Sequence, residues 1–408
     1  MTLHSQTSSS STDDYSMAAK PLLSQPSLPS IPSLASFLHH DQTHNCHCIA
    51  TLKPHSSYTS SLVLAGKHLF TASSDREIRM WKRRRAEEED DGHVWSYVNY
   101  SPAGAAVTAG KGAVKSLVVL SDKIFSAHQD HKVRVWRIDE EEREFTRLAT
   151  LPKLSDRVVK FLLPSSRVRI RRHKTATWVH HVDAVSALAL SADTSLLYSV
   201  SWDRTLKIWR TSDFKCMESV ANAHDDAINA LAVSQDGHVY TGSADKKIKV
   251  WRKSSPEKKH SLVATLEKHN SGINALAVGN GGAVLYSGAC DRSILVWERA
   301  RKDGGGGGGA AVAVVGALRG HTKSILCLAV AADIVCSGSA DKTVRIWRGV
   351  ERCYSCLAVL AGHGGPVKCL TVARDFVDGR KDETISKYVL YSGSLDGDIK
   401  VWQISLSF

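Results

Sequence analysis

The stretch Ser337-Gly338-Ser339-Ala340-Asp341-Lys342-Thr343-Val344-Arg345-Ile346-Trp347 sets small residues and an Asp at a tight turn, then alternates apolar and polar residues up to a Trp. Period-two alternation beside turn residues is the pattern of two short antiparallel strands. Six other stretches repeat it: TASSDREIRMW ending at Trp81, SAHQDHKVRVW at Trp136, SVSWDRTLKIW at Trp209, TGSADKKIKVW at Trp251, SGACDRSILVW at Trp297 and SGSLDGDIKVW at Trp402. Upstream of six copies stands a His followed four residues later by an apolar residue (Thr59 in the first copy) and seven later by a Leu: His55, His181, His224, His269, His321 and His363. The second copy has Gly110 in that slot. The run from His to Leu starts another strand, and a fourth follows each Trp, as in Ser261–Leu266. The unit is four antiparallel strands, and a repeat of this period must be read before anything else.

These motifs resemble the WD40-repeat family, whose fold is a β-propeller with four-stranded blades. The resemblance covers residues 46–408. The Asp usual after the terminal Trp is absent, with Arg137, Arg210, Arg252 and Arg348 in its place in four repeats. More narrowly, the stretches LYSGACDRSILVWE and VCSGSADKTVRIWRG, and a basic segment before HHVDAVSALALS, resemble the plant WD40 proteins of the JINGUBANG type. The fold class expected is all-β, a closed seven-bladed propeller. After Trp402 six residues remain, too few for a turn and a full outer strand. Cys48-Ile49-Ala50-Thr51-Leu52 precedes His55 just as Leu262–Leu266 precedes His269, so the N-terminal strand is expected to complete the last blade. Closure removes exposed sheet edges. A length prior of roughly 150 residues per domain would suggest two or three domains; the repeat predicts one ring over 46–408.

Residues 1–45 are rich in Ser, Thr and Pro and are expected to be a disordered tail, since they bury too little apolar surface to offset ordering. They hold no Arg and include Asp13, Asp14 and Asp41, which argues against a transit peptide. No apolar run reaches about 18 residues, so no membrane span is expected. Nine scattered cysteines fit reduced thiols in a cytoplasmic or nuclear protein.

His, Asp and a hydroxyl suggest a catalytic triad. Four positions before each Asp the residue is always Ser or Thr, and a set that recurs in nearly every blade is scaffolding rather than one active site. By resemblance to the family these residues form hydrogen-bonded tetrads: His181, Ser199, Asp203 and Trp209; His224, Thr241, Asp245 and Trp251; His269, Ser287, Asp291 and Trp297; His321, Ser337, Asp341 and Trp347. Buried polar groups persist when paired, so each tetrad should stiffen its blade. Blade 2, lacking the His, is expected to be the least stable. No catalytic residue, metal site or cofactor is assigned. The His39, His40, His44, Cys46, His47, Cys48 cluster lacks a second pair at finger spacing. Cys353 and Cys356 have redox spacing, but they are expected at the hairpin between the last two strands of blade 6, without a βαβ context. Gly304–Gly309 lacks the Lys-Ser/Thr of a phosphate loop.

The chain carries 53 Lys+Arg against 41 Asp+Glu, a net +12. The run Lys82–Arg85, followed by the acids from Glu87 to Asp91, is expected to be a self-neutralising bottom loop of blade 1. The largest insertion, residues 152–181, holds eight cations (among them Arg167, Arg169, Arg171, Arg172 and Lys174) against Asp156, or +7, interleaved with apolar residues. By the family's loop arrangement this insertion lies on the top face. Beside it Trp202 occupies the slot before the Asp, where the other blades carry Ser74, Gln129, Ala244, Cys290, Ala340 and Leu395. Trp is a favoured interface anchor. Tyr58 and Asp226 extend the same expected surface. The expected function is a non-enzymatic protein-interaction scaffold, monomeric as a ring, taking an acidic partner on its top face; nucleic acid or anionic lipid on the basic insertion is the alternative. A ubiquitin-ligase receptor role is disfavoured because no terminal Trp is followed by Asp.

Overall fold

The computed structural model describes residues 31–36, 45–53, 55–85, 95–99, 107–108, 111–139, 144–153, 167–171, 174–177, 179–253, 259–299, 312–350, 353–375 and 385–407. Each copy of the motif folds as expected. In blade 4, Ile228–Val233, His238–Ser243, Ile248–Lys253 and His260–Leu266 pair in that order, all antiparallel. Asp245 sits at the turn between the second and third strands, and Trp251 lies opposite Val239 on the second. Seven such sheets succeed one another along the chain. Among the described residues the one helical element is a 3₁₀ turn, Asn280–Gly282.

The last blade holds Val367–Arg374, Ile385–Ser394 and Ile399–Ser407, and its outer strand is Asn45–Leu52 from the other end of the chain. Register runs from Asn45 opposite Ser405 to Leu52 opposite Ile399, with a bulge after Cys48. The apolar faces meet between blades, not within one centre. Seven clusters of buried residues occupy the seven junctions; that between blades 7 and 1 joins Cys369, Val389, Tyr391, Ile399 and Val401 to Leu62, Leu69 and Trp81. The ring therefore closes by the same packing that joins consecutive blades. Polar clasps reinforce some junctions: Tyr388 donates to Asp333 Oδ1 at 2.7 Å while Arg348 Nε holds Oδ2 at 2.7 Å, tying blade 7 to blade 6.

Three expectations change. The tail is not excluded from the fold throughout: Ile31–Ser36 is built onto blades 5 and 6, and Ile31 is buried. Composition hides this because two apolar anchors suffice when a sheet edge supplies the remaining bonds. Lys82–Arg85, read as the start of a loop, continues the third strand of blade 1, pairing Lys82 with Val98 and Arg85 with Trp95. Cys353 and Cys356 lie within one strand, Cys353–Leu360, rather than at a hairpin.

Candidate functional site: the top rim of the ring

In six blades a His spans from the Asp to the hydroxyl. His224 Nδ1 lies 2.8 Å from Asp245 Oδ2 and its Nε2 lies 2.7 Å from Thr241 Oγ1, which accepts the Trp251 indole N–H at 2.9 Å. His269 with Asp291, Ser287 and Trp297, and His321 with Asp341, Ser337 and Trp347, repeat this with every contact at 2.8 Å. His181 meets Asp203 at 3.2 Å and Ser199 at 2.8 Å, and Trp209 donates to Ser199 at 2.9 Å. His55–Thr71–Asp75–Trp81 and His363–Ser392–Asp396–Trp402 complete the series. Each Asp also accepts the backbone N–H two residues on, as Asp245 does from Lys247 at 2.9 Å, so the carboxylate shapes the turn. Every atom that a nucleophile or base would need is already bonded to the scaffold. His55, Asp75 and Glu77 bring three ligand atoms within 4.8 Å, but the first two are a tetrad pair and Glu77 is held by Arg79 at 2.7 Å.

Blade 2 solves its missing His differently. His128 stands where five blades carry Ser and blade 5 carries Ala289. Its Nε2 lies 2.8 Å from Ser126 Oγ, which accepts the Trp136 N–H at 2.8 Å, and its Nδ1 faces the Gly112 carbonyl at 3.3 Å. The Asp left without a His partner, Asp130, takes a two-pronged ion pair from Arg134. The premise that blade 2 lacks a network is thus overturned: a His from the turn rebuilds it. His128→Ser, which installs the residue most other blades use, should cost about 1–3 kcal/mol by orphaning buried partners. Urea unfolding of wild type and variant with equal midpoints would refute the rebuilt network.

Burial presses the imidazoles of His128, His181 and His363 below 6.5; for His128, with the Arg134 charge added, the value falls to about 3. Burial alone would raise the Asp245 carboxyl, but the His224 hydrogen bond and the backbone donors outweigh it and bring it to about 2. The net direction is down for Asp203, Asp291 and Asp341 as well, against the same burial. All these folded-state values lie below those of the unfolded chain, so the unfolded state binds protons that the fold refuses. Stability from the histidines is complete above about pH 6.5 and is lost as pH falls below it, for His128 down to about 3; that from the carboxylates is complete above about pH 4 and is lost below it, for Asp245 toward about 2. The melting temperature is expected to hold between pH 7 and 8 and fall steadily below 6.5. A scanning-fluorimetry profile flat from pH 7 to 5 would contradict this.

The turn that holds each Asp faces one side of the ring. Trp202 is 40% exposed there, its backbone N–H donating to the Ala184 carbonyl at 3.1 Å, and Lys115 of blade 2 lies over its ring at 5.4 Å from the centroid. Leu395 occupies the same slot in blade 7 and is 45% exposed. Tyr58 of blade 1 is half-buried, and its backbone carbonyl accepts the Ser74 N–H at 3.2 Å. Asp226, exposed, accepts the Ala227 N–H at 2.7 Å in blade 4. Trp202, Tyr58 and Asp226 therefore sit on three different blades of one rim.

The basic insertion is a hairpin, not a loop: Arg167–Arg171 pairs with Lys174–Thr177 in a separate two-stranded sheet. Arg167, Arg169, Arg171 and Lys174 lie on these strands, and Arg172 lies outside the described residues. The insertion is fixed at both ends: Pro152 is buried, and Val179 enters the core between blades 2 and 3. It leads directly into His181, whose bond to Asp203 sets it beside the Trp202 turn.

Sequence reasoning missed one rim feature. The residue after each Asp adopts a left-handed conformation: Arg76, His131, Arg204, Lys246, Arg292, Lys342 and Gly397 have φ of 75°, 67°, 68°, 73°, 68°, 72° and 89°. Glycine takes this region most easily, yet only blade 7 uses it. Five blades place a full positive charge there. The signal was present as an Asp followed by a cation in five of the seven motifs.

A family model described as "WD domain, G-beta repeat" matches residues 46–82, 172–210, 214–252, 260–298, 313–348 and 354–403, more than half the chain. It passes over blade 2, where the tetrad is rebuilt. Protein ROOT INITIATION DEFECTIVE 3 of Arabidopsis thaliana is 27% identical over 225 residues, covering 51% of this chain and 49% of that protein. A Ribosome biogenesis protein WDR12 homolog of Chlamydomonas reinhardtii is 30% identical over 200 residues, covering 42% of this chain and 45% of that protein. The chain thus spans about half the length of these curated relatives. The solved WD40 beta propeller domain of Doa1 superposes with a TM-score of 0.60 at 19% identity, covering 88% of this chain and 96% of that one, a likeness of fold. By its seven closed blades and the six repeats that the model matches, the chain belongs to the WD40-repeat family.

Proposed function

We propose that the ring is a non-catalytic protein-interaction platform, a plant regulatory or signalling adaptor of the JINGUBANG type, acting in the cytoplasm or nucleus and docking an acidic protein surface or peptide on its top rim. The observation that carries this reading is Trp202, an exposed indole held at a tetrad turn with Lys115 over its ring. An indole anchor beside a cation suits a partner with an apolar side chain next to a carboxylate. The tetrads support the non-catalytic half, since their His, Asp and hydroxyl groups satisfy one another.

The alternative, phosphate binding by the insertion, draws on its +7 charge and differs in salt response: phosphate contacts release counterions and weaken steeply with salt. Affinity purification from plant tissue after nuclease treatment, comparing the native protein with a Trp202→Ala, Arg169→Ala, Arg171→Ala variant, separates these. At least a tenfold loss of a protein partner is expected. Recovery of the same partners by both proteins would reject the top-rim reading, and loss of all partners on nuclease treatment would favour nucleic acid.

A further inference from the structure

The outer edges of blades 5 and 6 are occupied by the chain's own residues 31–36, whose first two residues border the top-rim turn of blade 4 at Asp245–Lys247. Ser33 bridges Ala317 in parallel, so that Ala317 N–H donates to the Pro32 carbonyl at 2.9 Å and Leu34 N–H donates to the Ala317 carbonyl at 2.9 Å. The Leu34 carbonyl then accepts the Tyr354 N–H at 3.2 Å, and Ala35–Ser36 continue parallel to Tyr354–Ser355 of blade 6. One residue thus bonds to two blades. Arg319 Nη2 fixes the far end by donating to the Ile31 carbonyl at 2.8 Å.

The side chains fall into separate gaps. Ile31 enters the core between blades 4 and 5, with Trp297 and Ala317, and Leu34 packs between blades 5 and 6, with Tyr286, Tyr354 and Cys356. Gly316 makes the second seat: a Cβ there would lie 2.4 Å from Leu34 Cγ. Pro32 uses only its carbonyl in this pairing, so its missing N–H costs nothing, and Ser33 is exposed. The groove therefore reads backbone along an edge, selects an apolar residue and, three positions on, Leu, and tolerates Pro and a free position between them.

We infer that this rim groove is a docking site for extended peptides of the form Ile/Leu-x-x-Leu carried by a partner protein, and that residues 31–36 occupy it in cis as a built-in competitor. Addition of a strand to a sheet edge gives affinity through the main chain and specificity through side-chain pockets. Tethering sets the competitor's effective concentration near millimolar, so partners engage strongly only when the tail is displaced.

The test uses the full-length protein and a fluorescein-labelled peptide of residues 28–37. Ile31→Asp with Leu34→Asp should free the groove and bind the peptide at least tenfold tighter than wild type in fluorescence polarisation. Adding Gly316→Val should abolish that binding, and a peptide with Asp at both anchor positions should not bind. Hydrogen exchange reports the groove independently: the Ala317 and Tyr354 amides should lose protection in the double variant and regain it with peptide. The inference fails if the double variant keeps these amides protected, or if it loses protection and still binds no better than wild type.

Discussion

A chain that begins at residue 53 should fail to melt cooperatively at the temperature where a chain beginning at residue 45 still does. The two differ by the strand Asn45–Leu52, which pairs with Ile399–Ser407 and packs Ile49, Ala50 and Leu52 against the junction of blades 7 and 1. Losing several backbone hydrogen bonds at about 1 kcal/mol each, plus the apolar cover, approaches the roughly 5–15 kcal/mol that holds a native domain together. It also bares Ile399, Val401 and the Trp402 edge, an invitation to intermolecular pairing. The expected result is a melting temperature at least 10 °C lower or outright aggregation, and the longer chain controls for loss of residues 31–36. Equal melting curves would show that the ring does not depend on this closure.

Trp347→Ala should have the next largest effect. The indole is wholly buried between blades 5 and 6, and its N–H satisfies Ser337, which in turn holds His321. Truncating a buried Trp costs about 3–5 kcal/mol through lost burial and the cavity left behind. Trp347→Phe retains much of the bulk and removes the donor, so it should lose about 1 kcal/mol. Chemical denaturation of the three proteins gives the comparison. If Phe and Ala cost the same, the hydrogen bond and not the packing dominates, and the assignment of this Trp as a core wedge is wrong.

Much of the ring was legible because its grammar is repeated: small residue, turn Asp, alternating strand and Trp each carry a fixed spatial role, and seven copies leave little freedom. What stayed hidden lies off that grammar. His128 could not be read as a tetrad member because the motif puts His upstream of the first strand; only the oddity of a His where Ser is usual marked it. The docked tail was hidden for the opposite reason. Ile31 and Leu34 are two apolar residues in a Ser- and Pro-rich run, and the bonds that hold them come from the edges of strands some 280 residues away. Trp202 was legible by substitution within its slot, while the insertion's hairpin was obscured by its charge, which resembles a solvated loop.

The left-handed turn residues separate two properties that are usually entangled. A cation at such a position carries a steric cost of roughly 1–2 kcal/mol that glycine avoids, while glycine's own chain entropy offsets about 0.5–1 kcal/mol of the gain. Exchanging Arg76, Arg204, Lys246, Arg292 or Lys342 for Gly is therefore close to neutral for folding, as Gly397 already illustrates in blade 7. The ring can lose or acquire rim charge one blade at a time without endangering the scaffold. Its outward electrostatic character is thus free to diverge among descendants of one gene while the seven interblade cores stay as they are.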